Sequence, residues 1–154
     1  MGLAPGQSFR TITNQLPYRE GYRCPTECQL SHSDGPWTCT VSLQLNSDAD
    51  GSALANSQKV QFGPPITEKS EVTERIRRAQ RAILNPSQPP DIFLSGADPG
   101  HDVPFSSNRI VVHVSGPDIT DLNFIDLPGS CLVWKILLLV FNIPSRSVCR
   151  RRGK

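Results

Sequence analysis

The chain has 154 residues, of which 37% are hydrophobic and 19% charged, which fits one domain with a packed core. Its 14 prolines and 11 glycines argue against a helical bundle and for long irregular connections. The net charge of +2 is too small to indicate nucleic-acid binding. Because five cations fall in the last nine residues, the rest of the chain carries a net charge of −3. These cations are Arg146, Arg150, Arg151, Arg152 and Lys154.

The cysteines and the first residues bear on the cellular compartment. The five cysteines are an odd number at irregular spacing, which does not suit a disulfide framework. Met1–Asn14 contains no apolar core of a signal peptide. We therefore expect a reduced, cytoplasmic protein. The cysteines are Cys24, Cys28, Cys39, Cys131 and Cys149.

Zinc binding and histidine-dependent catalysis are both weakly supported. Cys24 and Cys28 form a single short pair near Cys39 and His32, whereas structural zinc sites usually show two such pairs. His113 lies within an apolar run, which predicts a packed strand residue rather than a catalytic base. No serine or cysteine nucleophile is identifiable beside His101 in its acidic loop.

The first half of the chain alternates between irregular segments and one strand. Met1–Gly21 and Tyr22–Ser33 are predicted to be irregular. Trp37–Leu45 alternates apolar and polar side chains, which predicts a half-buried strand. Asn46–Gly51 indicates a turn, and Ser52–Pro65 is expected to be a polar connection. The apolar side of the strand comprises Trp37, Cys39, Val41, Leu43 and Leu45.

A helix is predicted next, because apolar residues recur at helical spacing and the charges suit the helix dipole. Glu71–Arg75 and Glu74–Arg78 are favourably oriented pairs, and Asn85-Pro86 is expected to end the helix. The arginines are expected to form a solvated face. Pro86–Pro104 is predicted to be a long loop. The apolar stripe consists of Val72, Ile76, Ala79 and Ile83.

Two strands and an apolar run complete the pattern. Arg109–Ser115 and Leu122–Leu127 are predicted strands, and the turn residues Gly116-Pro117-Asp118 between them suggest an antiparallel pair with a short connection. Cys131–Phe141 is apolar except for Lys135. Its eleven residues are too few to cross a bilayer, which needs roughly 17–25.

The second of these strands ends in Asp126-Leu127-Pro128-Gly129. An aspartate at the end of an apolar strand, followed three residues later by glycine, is one way to build a γ-phosphate sensor. The carboxylate holds a water bound to Mg²⁺, and the glycine lets its backbone N–H approach the phosphate. Taken alone, this motif is weak evidence and favours an ordinary exit from a strand into a turn.

Several further sequence segments match one known protein family in the same order along the chain, which is more specific than the single motif. Arg23-Cys24-Pro25-Thr26-Glu27-Cys28 resembles the switch I region of fungal dynamin-like (Mx-type) large GTPases. Trp37–Val41, Ile76–Ser87 and Phe105–Asn108 resemble the strand, the helix and the loop that follow in that family. Ser115–Asp118 and Leu122–Gly129 then match in order, so the resemblance runs from about Leu16 to Gly129.

The resemblance implies an α/β fold: an incomplete P-loop GTPase domain of the dynamin type, with a mixed sheet, flanking helices and long loops. It implies GTP and Mg²⁺ as ligands, with Asp126 as the Mg²⁺-linked carboxylate and Leu127, Pro128 and Gly129 beside the nucleotide. Arg23, Pro25 and Thr26 correspond to switch I. Members of the family hydrolyse GTP, self-assemble and remodel membranes. The implied organisation is a non-homologous residue range 1–15, a partial G domain over 16–129 and a divergent tail over 130–154.

The chain departs from the family at its nucleotide motifs. No Gly-x-x-x-x-Gly-Lys-Ser/Thr loop occurs in the sequence, and no Thr-Lys-x-Asp or Asn-Lys-x-Asp. Tyr22 stands where the family has the Mg²⁺-binding threonine, and Thr26 lies on another turn beyond Pro25. We therefore expect no GTP turnover. Losing the P-loop strand, which is central in the family's sheet, is also expected to leave an apolar sheet face and two strand edges without partners.

The tail leaves several interpretations open. Cys131–Phe141 is a core strand or helix, or, with the basic residues beside it, a segment that binds anionic membrane surfaces, or sequence foreign to the family that arose from a gene-model error. The expected partners are a guanine nucleotide, full-length dynamin-like relatives and a membrane surface, without nucleic acid. The alternative function is a non-catalytic interaction fragment, or an artefact with no function of its own.

Overall fold

The computed structural model describes residues 23–100 and 102–127, which form a mixed α/β fold. Five strands and two α-helices are present in this part of the chain. The strands are β1 (Thr26–His32), β2 (Thr38–Ser47), β3 (Ala53–Gln61), β4 (Arg109–Gly116) and β5 (Leu122–Asp126), and the helices are α1 (Val72–Leu84) and α2 (Asp91–Leu94).

The strands form one mixed sheet in the order β3-β2-β4-β1-β5. β1 and β4 are parallel, and every other neighbouring pair is antiparallel. The prediction that β4 and β5 pair with each other is wrong, because β1 lies between them. The connection over 117–121 steps across the end of β1, where the carboxylate of Asp121 accepts a hydrogen bond from the amide of His32 at 2.6 Å.

β1 corrects the prediction that Tyr22–Ser33 is irregular. Pro25 precedes the strand and does not interrupt it, and its carbonyl accepts a hydrogen bond from the amide of Ile110 at 3.0 Å. Cys28 and Leu30 are buried in the core under the sheet, while Gln29 between them is on the opposite face. The strand therefore has the period of two expected for an inner strand with one apolar face.

β2 confirms the predicted strand and its apolar face. Cys39, Val41 and Leu43 are buried in the core, and the strand continues to Ser47. A turn held by the carboxylate of Asp48 leads into β3. The prediction of a polar connection over Ser52–Pro65 is wrong, because Ala53–Gln61 forms β3. A strand at the edge of a sheet needs no apolar face when both of its sides meet water.

α1 confirms the predicted helix. Its stripe, from Val72 through Ile83, is buried against the sheet, and the helix ends at Leu84 as Asn85-Pro86 predicted. Glu74 bonds with Arg77 and Arg78 at 2.8–2.9 Å, and the hydrogen bond from Arg77 is the main reason that its pKa is lowered to about 2.

Two of the sequence predictions around α1 need correction. Arg75 donates to the carbonyls of Phe62 and Pro64 at 3.1 and 2.9 Å rather than pairing with Glu71. The predicted loop Pro86–Pro104 contains α2.

The described helices lie against one face of the sheet. Residues of α1 and α2 share a single core with the inward side chains of β1, β2 and β4. The opposite face of these strands is mainly polar, and on it Glu27 contacts Arg109 at 3.3 Å and accepts a hydrogen bond from Gln29 at 2.8 Å. This differs from the expected uncovered apolar face, because threonine, serine and glutamine alternate with the core residues along these strands.

Candidate functional site

One end of the sheet brings together residues from both ends of the described chain. Thr26 begins β1, Asp126 ends β5, and the two are directly opposite each other in the antiparallel ladder. Both are buried, with exposed fractions of 0% and 5%. Thr26 also pairs with Ile110, the second residue of β4. The sheet therefore places two oxygen-bearing side chains, 100 positions apart in sequence, side by side at one strand end.

The chemistry of this pair suits a hard cation. The Thr26 hydroxyl is buried and, within residues 23–100 and 102–127, makes no hydrogen bond. Hydroxyl and carboxylate oxygens are the ligand types that Mg²⁺ accepts, with waters and phosphate oxygens completing its shell. The donor set therefore fits Mg²⁺ in kind. Leu127 is exposed beside it, whereas the predicted nucleotide contacts Pro128 and Gly129 lie outside the described residues.

The described part of the chain contains three buried cysteines, and they are neutral thiols. Burial raises the pKa of Cys24, Cys28 and Cys39 to about 12 in each case. For Cys28, the nearby acids Asp126 and Glu27 add to the effect of burial. In the part of the chain that the structure describes, no group of three histidine, cysteine or acidic side chains is placed to hold a metal ion.

Arg23, which the sequence assigned to switch I, is engaged in a different contact. Its guanidinium forms an ion pair with Asp102 and donates to the carbonyl of Val103 at 3.4 Å. Its own carbonyl accepts from the amide of Ser106 at 3.1 Å. The charge of Arg23 is thus balanced by an acid, and the side chain ties the start of β1 to the loop before β4.

Asp102 is a residue that the sequence analysis missed. Besides Arg23, it contacts Arg81 at 3.4 Å. It also accepts a hydrogen bond from the side-chain amide of the buried Asn85 at 2.7 Å. It therefore joins the end of α1 to the segment before β1. An acid in a Pro/Gly-rich loop gives no local signal, because its partners are far away in sequence.

The arginines of α1 bind the loop beyond the helix. Arg81 pairs with Asp98, and this hydrogen bond is the main reason that the pKa of Asp98 is lowered. Arg78 donates to the carbonyl of Leu94. The expected solvated face is therefore in part a structural contact. Since acids and carbonyls occupy these guanidinium groups, the cluster is a poor anion site.

A serine and a histidine meet on the polar face of the sheet. The Ser31 hydroxyl lies 3.0 Å from Nε2 of His113, beside a shallow depression of about 470 Å³ that Asp121 and Asn123 help to line. No carboxylate of the described residues is hydrogen-bonded to His113. A serine–histidine pair without an orienting acid or an oxyanion site lacks most of what acyl transfer requires.

Comparisons with known proteins give no further identification. No protein-family model matches the chain, and no curated protein matches it. Within residues 23–100 and 102–127, no helix combines the length and apolarity that crossing a membrane requires.

Proposed function

We propose that this chain is part of a dynamin-type GTPase domain and that it does not turn over GTP by itself. Asp126 corresponds to the carboxylate that holds a Mg²⁺-bound water, and Gly129 to the glycine whose amide meets the γ-phosphate. The ligands of the parent domain are GTP and Mg²⁺. The parent's membrane remodelling and self-assembly belong to the same proposal.

The observation that carries this proposal is the pairing of Thr26 with Asp126. The sequence blocks that resemble switch I and the Asp-x-x-Gly strand are separated by about 100 residues, yet they share one end of one sheet. Between them, the block Trp37–Val41 falls on β2, Ile76–Ser87 on α1 and Phe105–Asn108 on the loop before β4. If the sequence matches were due to chance, there would be no reason for the two segments to lie at the same end of the sheet.

The position of β5 supports the proposal from a second direction. In the family, the strand that leads into the P-loop is central in the sheet. In the described part of this chain β5 is an edge strand, so one more strand fits beside it without disturbing any observed pairing. The strand that the family would place there has no counterpart among the sequence motifs.

The same geometry explains the expected lack of activity. Mg²⁺ and a γ-phosphate at Asp126 would still need a glycine-rich nest and a lysine around the β-phosphate, and this sequence has no such loop. A carboxylate and a hydroxyl can hold at most part of the shell of a hydrated Mg²⁺. Thr26 and Asp126 therefore retain two ligands for Mg²⁺, whereas the glycine-rich loop and the lysine that would bind the β-phosphate are absent from this sequence.

The genomic DNA around the reading frame tests the family assignment. If the chain derives from a GTPase, codons for Gly-x-x-x-x-Gly-Lys-Ser or its threonine form should precede the Leu16 codon. Their absence, in DNA that reads continuously into an unrelated coding sequence, would contradict the assignment.

Nucleotide titration of the purified chain tests the predicted inactivity. We expect no Mg²⁺-dependent uptake of a non-hydrolysable GTP analogue and no phosphate release above the Asp126→Ala variant. Asp118→Ala, which alters an exposed turn acid, is the matched control. Turnover that Asp126→Ala abolishes and Asp118→Ala leaves intact would overturn the prediction of inactivity while supporting the family assignment.

A further inference from the structure

Two exposed turns contain an aspartate followed by glycine, and they differ in what the glycine amide does. Asp34-Gly35 lies between β1 and β2, and Asp50-Gly51 lies between β2 and β3. All four residues are exposed. Because glycine has no Cβ to shield its backbone nitrogen, this dipeptide is the one in which that nitrogen most readily attacks the preceding side-chain carboxyl.

In the second turn the glycine amide is engaged. Gly51 donates its N–H to the carbonyl of Asp48 at 3.1 Å. The carboxylate of Asp48 also accepts hydrogen bonds from the amides of Asp50 and Ser52, at 3.0 and 2.9 Å. The backbone is therefore held on both sides of Asp50, and attack by the Gly51 nitrogen first requires breaking a hydrogen bond.

In the first turn the corresponding groups are not held. Within residues 23–100 and 102–127, the amide of Gly35 makes no hydrogen bond. The Asp34 side chain is fully exposed, and its Oδ1 lies 3.7 Å from Nε2 of His32, which is too far for a hydrogen bond that would fix the carboxylate. A Cβ built at Gly35 would meet, among the described atoms, only the Ser33 Oγ at 3.8 Å. The surroundings therefore do not crowd the approach of the carboxyl to the nitrogen.

We propose that Asp34 is a site of spontaneous isomerisation to isoaspartate in the folded chain and that Asp50 is protected from it. The Gly35 nitrogen bonds to Cγ of Asp34, and the amide proton leaves with a carboxyl hydroxyl as water, which closes a succinimide. Water then adds to the main-chain carbonyl carbon of Asp34 and breaks its bond to the Gly35 nitrogen. The chain now runs through Cγ with its mass unchanged, so the step needs neither an oxidant nor a reductant.

The modification adds one methylene to a turn whose two ends are anchored. The amide of Ser33 donates to the carbonyl of Gly116 at 3.1 Å, and a Cβ at Gly116 would lie 3.3 Å from the Cα of Trp37. The extra backbone atom is therefore accommodated within residues 34–36, and β1 and β2 keep their register. The inference does not depend on descent from a GTPase.

Ageing the purified full chain at neutral pH tests the proposal, once in native buffer and once in urea that unfolds it. Peptide mapping with electron-transfer fragmentation measures isoaspartate at each position. In urea we expect similar rates at Asp34 and Asp50. In native buffer Asp50 should isomerise about fivefold more slowly than Asp34, the factor that corresponds to one hydrogen bond of ordinary strength. Equal rates in native buffer, faster reaction at Asp50 or no isoaspartate at Asp34 would overturn the proposal.

Two substitutions test the chemistry at this turn. Gly35→Ala shields the nitrogen, and since the methyl group has room, the variant should fold like the parent. We expect it to lose the isoaspartate at position 34 while the rate at Asp50 stays unchanged. Asp34→Glu, which keeps the charge but would have to close a larger ring, should show no modification at this position. An unchanged rate with Gly35→Ala would contradict the proposal, and the comparison of native and unfolded parent chain decides it even if a variant fails to fold.

Discussion

The two edges of the described sheet differ in composition. β3, at one edge, is exposed along most of its length and carries Lys59 among serine, asparagine and glutamine residues. β5, at the other edge, carries exposed leucine and isoleucine residues. The first edge has the polar composition of an edge strand that is exposed to water. The second has the apolar composition of a strand that pairs on both sides. Strand position alone therefore does not say where a sheet is complete.

The largest expected effect is a difference in the free energy of unfolding between a buried residue of β2 and an exposed residue of the edge strand β3. Leu43 on β2 and Val60 on β3 are directly opposite, but Leu43 is 1% exposed and Val60 38%. We expect Leu43→Ala to lower the free energy of unfolding by about 3 kcal/mol, because it leaves a cavity under the sheet. Val60→Ala should cost less than about 1 kcal/mol. Urea denaturation measures both, and equal losses would show that β3 is a core strand.

An intermediate effect is expected when the charged residue on the β3 edge is replaced by an apolar residue like those exposed on β5. Lys59→Ile removes the charge that discourages pairing with another chain. We expect this variant to self-associate in a concentration-dependent manner that sedimentation velocity detects, with tighter association than the parent chain. Lys59→Arg, which retains the charge, should behave like the parent. No change with isoleucine would mean that the polar residues around Lys59 protect the edge without it.

The smallest effect is expected on α1, away from both edges. The pKa of Glu74 is lowered to about 2, chiefly by its hydrogen bond from Arg77. A lowered pKa stabilises the fold above the ordinary carboxyl pKa of about 4.5, and this stability is lost as the pH falls from there toward about 2.

Because the side chain is 44% exposed, the contribution of Glu74 should stay below about 1 kcal/mol. Comparing the pH dependence of unfolding for the parent and Glu74→Gln measures it. An identical pH dependence in the two proteins would show that the ion pairs of Glu74 do not stabilise the fold.

The sequence predicts those elements whose signal is local. β2 and α1 are recognisable by an apolar face with a clear period. β4 contains a nearly continuous apolar run, and three of the five residues of β5 are apolar. β3 has no buried face, so periodicity could not reveal it. The order of strands depends on contacts between distant segments, which is why β1 between β4 and β5 was missed.

The candidate site shows the same division. The position of Asp126 at a strand end follows from its own neighbourhood in sequence. The sequence predicts Thr26 on another turn beyond Pro25, whereas β1 starts immediately after that proline and carries Thr26 opposite Asp126. The contact of Arg23 with Asp102 could not be foreseen, because it joins two irregular segments 79 residues apart.

The parallel pairing of β1 with β4 has a consequence for synthesis on the ribosome. Ser31 and His113, which touch across this pair, are 82 positions apart, so β1 emerges long before its partner exists. At roughly 5–20 residues per second, the interval is several seconds. During that time the β2–β3 hairpin and α1 can form from local contacts, while Cys28 and Leu30 remain without the strand that covers them. Nascent chains halted before residue 109 should therefore bind chaperones that recognise extended apolar segments, and those released after β5 should not.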